Sequence, residues 1–140
     1  MAIPSDIDAR LFFRSGRERL EDAHVLLESS PQRTTGAVYL AGYCVECLLK
    51  ALILSSEPKS RHPETLATFR GSKAHNYSWL QEQYQLRTGR VFPPRIQECL
   101  EILNAWGTSL RYVPATFSAA EADLFLKTTE EFSEWAESHL

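Results

Sequence analysis

Residues 36–54 read GAVYLAGYCVECLLKALIL, and the fold turns on this stretch. It is apolar almost all the way round a helical wheel, the pattern of a helix buried on every side rather than one lying on a surface. The helix is predicted to run from about Thr34 to Ser55. Glu46 and Lys50 stand in its middle, which a bilayer span would not readily accept, so it reads as the central helix of a core. Gly36, Ala37, Ala41 and Gly42 are small enough to let a neighbouring helix approach closely.

Working outward, Ser5 is placed to cap a first helix ending near Glu28. Ile7, Leu11, Phe12, Leu20, Ala23, Leu26 and Leu27 recur in it at helical spacing. The polar, proline-containing segment 29–36 is a short connection. After a loop at 55–63, Pro63 suits the first turn of a short helix, ETLATFR. A further helix is expected over 75–86, a connection over 87–94, and a helix from Pro94 to about Trp106. Residues 107–117 are irregular. Ser118 and Glu121 form a capping box opening a last helix that runs nearly to the end. No alternating strand and no internal repeat occurs. The expectation is an all-α, up-and-down bundle of four longer helices plus one or two short ones, a single domain over residues 1–140.

Fifteen Lys and Arg against eighteen Asp and Glu give a net charge of −3. The whole-domain basic footprint of a dedicated nucleic-acid binder is absent, and no DNA-binding motif is present. Cys44 and Cys47 form a C-x-x-C inside the central helix, with no second ligand pair and no preceding strand. They are expected to be buried thiols rather than a zinc or redox site, and no metal or cofactor is expected. An odd number of free cysteines fits a reducing compartment, so the expected location is cytoplasmic. The opening MAIPSDIDARLFFRSGRERL lacks the apolar run of a signal peptide.

Several constellations have both a structural and a functional reading. Glu46 and Lys50 are an i,i+4 pair in the favoured order. With Tyr39 they make either a structural network or a polar site, and a buried version needs partners. Arg70 and His75, in FRGSKAHNY, place an imidazole near a permanent cation, the pairing that general acid–base chemistry at a phosphate requires. The structural alternative has His75 starting a helix with Arg70 and Lys73 solvated. In RTGRVFPPR, residues 87–95, three arginines with Phe92 offer either a nucleic-acid contact or a helix connection with Phe92 tucked beneath it. Arg111 and Tyr112 in LRYVP either anchor their loop or present a donor at an interface. His24, His62 and His139 fall in separate contexts and suggest no ligand cluster.

AVYLAGYCVECLLKALI closely resembles the motif of HEPN domains, in which an aromatic-rich stretch and a small pair precede A-x-E-x-x-L-K-A-L. The matching positions are Tyr39, Ala41, Gly42, Tyr43, Glu46, Leu49, Lys50, Ala51 and Leu52, with Val45 near the usual alanine. SGRERLEDAHVLLES resembles the family's first helix, AHNYSWL its H-x-L-x-x-L segment, and LRYVP its arginine-tyrosine-proline ending. The resemblance implies a helical bundle, usually a homodimer, and a nucleotide, RNA or partner protein bound by an accessory module. It also implies a second possibility, a metal-independent endoribonuclease with R-x4–6-H at the dimer interface. Arg70 and His75 fit that spacing. Gly71 stands where that motif usually has a polar residue, and His75 also matches the histidine of H-x-L-x-x-L. Some members pair with a nucleotidyltransferase in toxin–antitoxin modules.

Overall fold

A computed structural model describes residues 4–114 and 116–140; the first three residues of the expected leaderless opening lie outside it. Among the described residues six α-helices follow in order: α1 Ile7–Glu28, α2 Thr34–Ser55, α3 His62–Thr68, α4 Tyr77–Thr88, α5 Pro94–Leu103 and α6 Ala119–Glu137. Among the described residues there is no strand. Three 3-10 turns, Lys59–Arg61, Ser72–His75 and Thr108–Tyr112, join them.

The all-α bundle is as expected, with α2 at its centre and α1, α4 and α6 packed on it. Val38, Val45, Leu48, Leu49, Leu52 and Ile53 are buried along α2. Among the described residues, α2 alone is long and apolar enough to cross a membrane, but most of its apolar surface is covered inside the bundle. Gly16 of α1 provides the close approach: a Cβ there would meet the Cys47 side chain at 3.1 Å and the Cys44 carbonyl at 3.2 Å. Ser118 and Glu121 form the reciprocal cap of α6 that their spacing predicts.

Four boundaries differ from expectation. Asp6, not Ser5, caps α1, its carboxylate accepting from the backbone of Asp8 and Ala9 at 2.9 and 3.0 Å. α3 begins at His62, with Pro63 in its first turn, and ends before Phe69. α4 begins at Tyr77 because the Asn76 side chain caps it by accepting from Trp79; His75 closes the preceding 3-10 turn instead. α5 stops at Leu103, and this frees Trp106 to turn back onto α2.

Candidate functional site

Tyr39, Tyr43, Glu46 and Lys50 recur along α2 at spacings of four, three and four, which places them on one face. Glu46 and Lys50 are buried, with side chains each only 6% exposed. Lys50 Nζ donates to Glu46 Oε2 at 2.9 Å. The ammonium also lies against the edge-to-face Phe12 and Phe69 pair, 5.7 and 5.3 Å from their centroids, where the negative ring faces offset lost hydration.

The other carboxylate oxygen of Glu46 accepts from His75 Nδ1 at 2.8 Å. This fixes the ring and leaves Nε2 as its uncommitted nitrogen. The backbone delivers His75 by a turn at Gly71, whose φ of +93° is a conformation side-chain-bearing residues rarely adopt. Buried Ala74 and the Asn76 cap hold the turn on either side of His75. The imidazole is 41% exposed, so it bridges a buried ion pair and solvent.

An aromatic wall continues from it. Tyr43 meets His75 and Trp106 edge-on, at 6.4 and 5.1 Å between centroids. Trp106 stacks on Tyr77 at 5.1 Å with only 8° between planes. Its indole N–H donates to the Tyr39 carbonyl at 2.9 Å, and the Tyr77 hydroxyl donates to the Gly42 carbonyl at 2.7 Å. Gly42 is required here, because a Cβ would fall inside the Trp106 ring. Burial, then the hydrogen bond with Tyr39, raises the Tyr43 pKa; burial, then the charge of Glu46, raises that of Tyr77. Both phenols therefore stay protonated. Outside this wall is a cleft of about 260 Å³, where Ser72, Asn76, Asn104 and Ser109 join His75 and Trp106.

The predicted residues thus separate. Glu46, Lys50 and His75 form one hydrogen-bonded network; Tyr39 stands beside it, its hydroxyl paired with that of Tyr43 at 3.1 Å. Arg111 lies over the Tyr112 ring at 4.9 Å, and its charge reaches Tyr39 and Tyr43. Tyr112 itself is exposed. Arg70 is on the exposed side of the turn before Gly71, with no ion pair or hydrogen bond among the described residues. Sequence reasoning missed Trp106, Phe12 and Phe69. The available signal was Gly42, a glycine in the middle of an apolar helix.

His62 corrects the expectation of no histidine cluster. It is buried, with Nε2 at 2.8 Å from the Leu54 carbonyl and Nδ1 at 3.0 and 3.4 Å from Asp8 and Asp6. All three partners are acceptors, so both ring nitrogens must carry protons. Burial opposes that charge, but Asp8, the Leu54 carbonyl and Asp6 outweigh it and raise the pKa. These three side chains lie close enough together to hold a metal ion; without one, the Nδ1 proton is shared by the two carboxylates.

Cys44 and Cys47 are free thiols, as is Cys99. Burial, followed by the neighbouring Cys47, pushes Cys44 up, and burial followed by Glu46 pushes Cys47 up to about 12. Neither is a ready thiolate nucleophile near neutral pH. Phe92 is buried between Tyr84 and Trp135, so it cannot stack on a base, and Arg95 is tied to Glu131 and Glu98. A family model, that of the HEPN domain, matches residues 9–139. Neither the curated proteins nor the solved structures give a match.

Proposed function

From the premise that this chain belongs to the HEPN domain family, whose members are nucleotide- or RNA-related modules, we propose that it is a homodimeric accessory module binding a nucleotide or RNA in the His75 cleft. One observation carries this reading: a buried carboxylate, itself braced by Lys50, holds His75 by one nitrogen and leaves the other at a cleft walled by asparagines, serines and a tryptophan. Amide and hydroxyl groups of this kind read base and ribose edges, and an imidazole nitrogen adds a fixed hydrogen-bonding position. Ile7 and Leu11, exposed on α1, support a second copy as partner. A dimer of this kind should bury more than ~1,000 Å². Light scattering should give twice the mass of the chain; a monomer at micromolar concentration contradicts the dimer. The three free thiols support a reducing, cytoplasmic setting.

Binding is tested by fluorescence anisotropy with a labelled single-stranded oligoribonucleotide in EDTA. His75→Ala and Asn104→Ala should each weaken it, by about tenfold for one lost hydrogen bond of ~1.4 kcal/mol. Affinity unchanged in both variants would remove the ligand from this cleft.

The second reading, a metal-independent endoribonuclease, is favoured by the free Nε2 of His75. In that reaction Nε2 takes the proton of the ribose 2′-hydroxyl as its oxygen attacks phosphorus, the P–O5′ bond breaks to leave a 2′,3′-cyclic phosphate, the departing 5′-oxygen takes a proton from water, and a cation steadies the developing charge. Among the described residues lining the cleft there is no arginine or lysine. The nuclease reading therefore needs Arg70 to swing in or a second copy to supply it. EDTA-resistant RNA cleavage that disappears in His75→Ala and Arg70→Ala would establish it. A nucleotidyltransferase partner in a toxin–antitoxin pair is the corresponding expectation for the nuclease, and co-purification with the product of an adjacent gene tests it.

A further inference from the structure

At the far end of α2 from the aromatic wall is a second cleft, of about 360 Å³, between the C-terminal turns of α2 and α4. Ser55 is nine residues beyond Glu46, about 13 Å along the helix at 1.5 Å per residue. Tyr84, Arg87, Arg90, His139 and Ser55 line this cleft. We infer that it binds a phosphate group, carried either by a free polyphosphate or by the backbone of an RNA strand.

Tyr84 is the first reason. Its ring is 96% buried against Phe92, since only 4% of the residue is exposed, yet its hydroxyl has no hydrogen-bond partner among the described residues. No side-chain polar atom that is itself fully buried lacks a partner, so this hydroxyl reaches the opening its ring lines. The hydroxyl is therefore held at the opening by its buried ring, placed to donate to a ligand oxygen in exchange for water.

Arg87 is the second. Its Nε donates to Glu57 at 3.1 Å, and its Nη1 donates to the Gln83 carbonyl and side chain at 3.2 and 2.7 Å. Glu57 is held in turn by the Thr65 hydroxyl. The guanidinium is thus fixed before any ligand arrives, with Nη2 free of partners among the described residues. A donor ordered in advance loses little entropy on binding, and a planar guanidinium suits phosphate.

The local charge agrees. Arg61 lines an adjoining hollow with Arg87, and neither Arg61 nor Arg90 forms an ion pair among the described residues. Glu57 is the one acid lining either hollow, and Arg87 already occupies it. Helix C-termini ordinarily repel anions. Here that repulsion is partly relieved: Ser56 and His62 donate to the Ile53 and Leu54 carbonyls at the end of α2, and Gly89 to the Gln85 carbonyl of α4; the arginine charges must outweigh what remains at the end of α4. His139 stacks on Trp135 at 4.4 Å with Nδ1 bonded to the Trp135 carbonyl, which leaves Nε2 as the free nitrogen. The arginine-rich connection read from the sequence therefore has a ligand-facing side, made by Arg87 and Arg90 rather than by Phe92.

The inference is independent of the His75 cleft, and its test keeps the two apart. Inorganic pyrophosphate and, separately, a short oligouridylate are titrated at low salt by calorimetry, with the arginine Nε–Hε NMR signals recorded alongside. Arg90→Glu removes an exposed charge, and Tyr84→Phe removes only the hydroxyl while keeping the ring in the core. Pyrophosphate should shift the Arg87 signal. Its affinity should fall at least tenfold in Arg90→Glu and severalfold in Tyr84→Phe, with melting temperatures near wild type in both, and stay unchanged in His75→Ala. If the oligouridylate loses affinity in Arg90→Glu as well, the phosphate is that of an RNA backbone; if only pyrophosphate does, it is a free polyphosphate. No pyrophosphate binding at millimolar concentration, an unmoved Arg87 signal, or wild-type affinity in Tyr84→Phe and Arg90→Glu would overturn the inference.

Discussion

Replacing Lys50 by methionine should destabilise the protein far more than an ordinary charge removal. The ammonium is 2.9 Å from a Glu46 oxygen, and both side chains are almost wholly buried. Methionine keeps a long apolar side chain beside Phe12 and Phe69 but strands the carboxylate, leaving it only the bond from His75. Breaking one side of a buried pair costs ~3–5 kcal/mol, and the surviving bond argues for the lower end, about 3–4 kcal/mol. At about 3 °C per kcal/mol for a chain of this length, the melting temperature should fall by roughly 9–12 °C. Thermal unfolding followed by circular dichroism at neutral pH measures this. The double variant Glu46→Leu, Lys50→Met removes both charges and should recover much of the loss, because the penalty is the stranded charge rather than the missing bond. A single variant melting within a degree or so of wild type would refute the reasoning and return the pair to a solvated face.

Three further outcomes follow from the same geometry. His62 has a raised pKa in the folded chain, so the stability it contributes is fully present below its ordinary value of about 6.5 and is lost as pH rises through the higher folded value. Denaturant titrations should show the gap between wild type and His62→Asn narrowing from mildly acidic to alkaline pH; a gap that widens contradicts the doubly protonated ring. Gly42→Ala drives a methyl group into the Trp106 indole. It should cost ~1–3 kcal/mol by overpacking, and it should also weaken ligand binding at the His75 cleft, as calorimetric stability and anisotropy together would show. The three thiols, all held above their ordinary pKa chiefly by burial, should resist a disulfide reagent at pH 8 and react only on unfolding; rapid colour development from native protein would contradict this.

The central helix was legible because burial on all sides leaves a continuous apolar run, and Ser118 with Glu121 was legible because a reciprocal cap has a fixed spacing. The start of α1 was not, since Ser5 and Asp6 are both able caps and only the structure shows whose oxygen reaches two backbone N–H groups. The Glu46–Lys50 pair could be read from one helix; its link to His75 could not, because it depends on how a turn at Gly71 brings another segment across. The same turn explains why four-residue spacing did not join Arg70 to His75: the positive φ at Gly71 ends any shared helical face. Trp106 and the His62 cluster are long-range meetings, and their single-sequence traces are slight: a glycine within α2 for the first, and two aspartates far upstream for the second.

The central claim is that His75 presents its Nε2 to a ligand while Glu46 holds its Nδ1. Long-range proton–nitrogen spectra of histidine-labelled protein, recorded during titration with a single-stranded oligoribonucleotide in EDTA, test this most directly. An Nδ1-bound proton should stay on His75 throughout and its Nε2 signal should shift progressively and saturate with binding, while the signals of His24, paired with Glu130, stay in place. An His75 Nε2 signal that does not move at saturating RNA, or a free protein whose His75 proton sits on Nε2 instead, would contradict it.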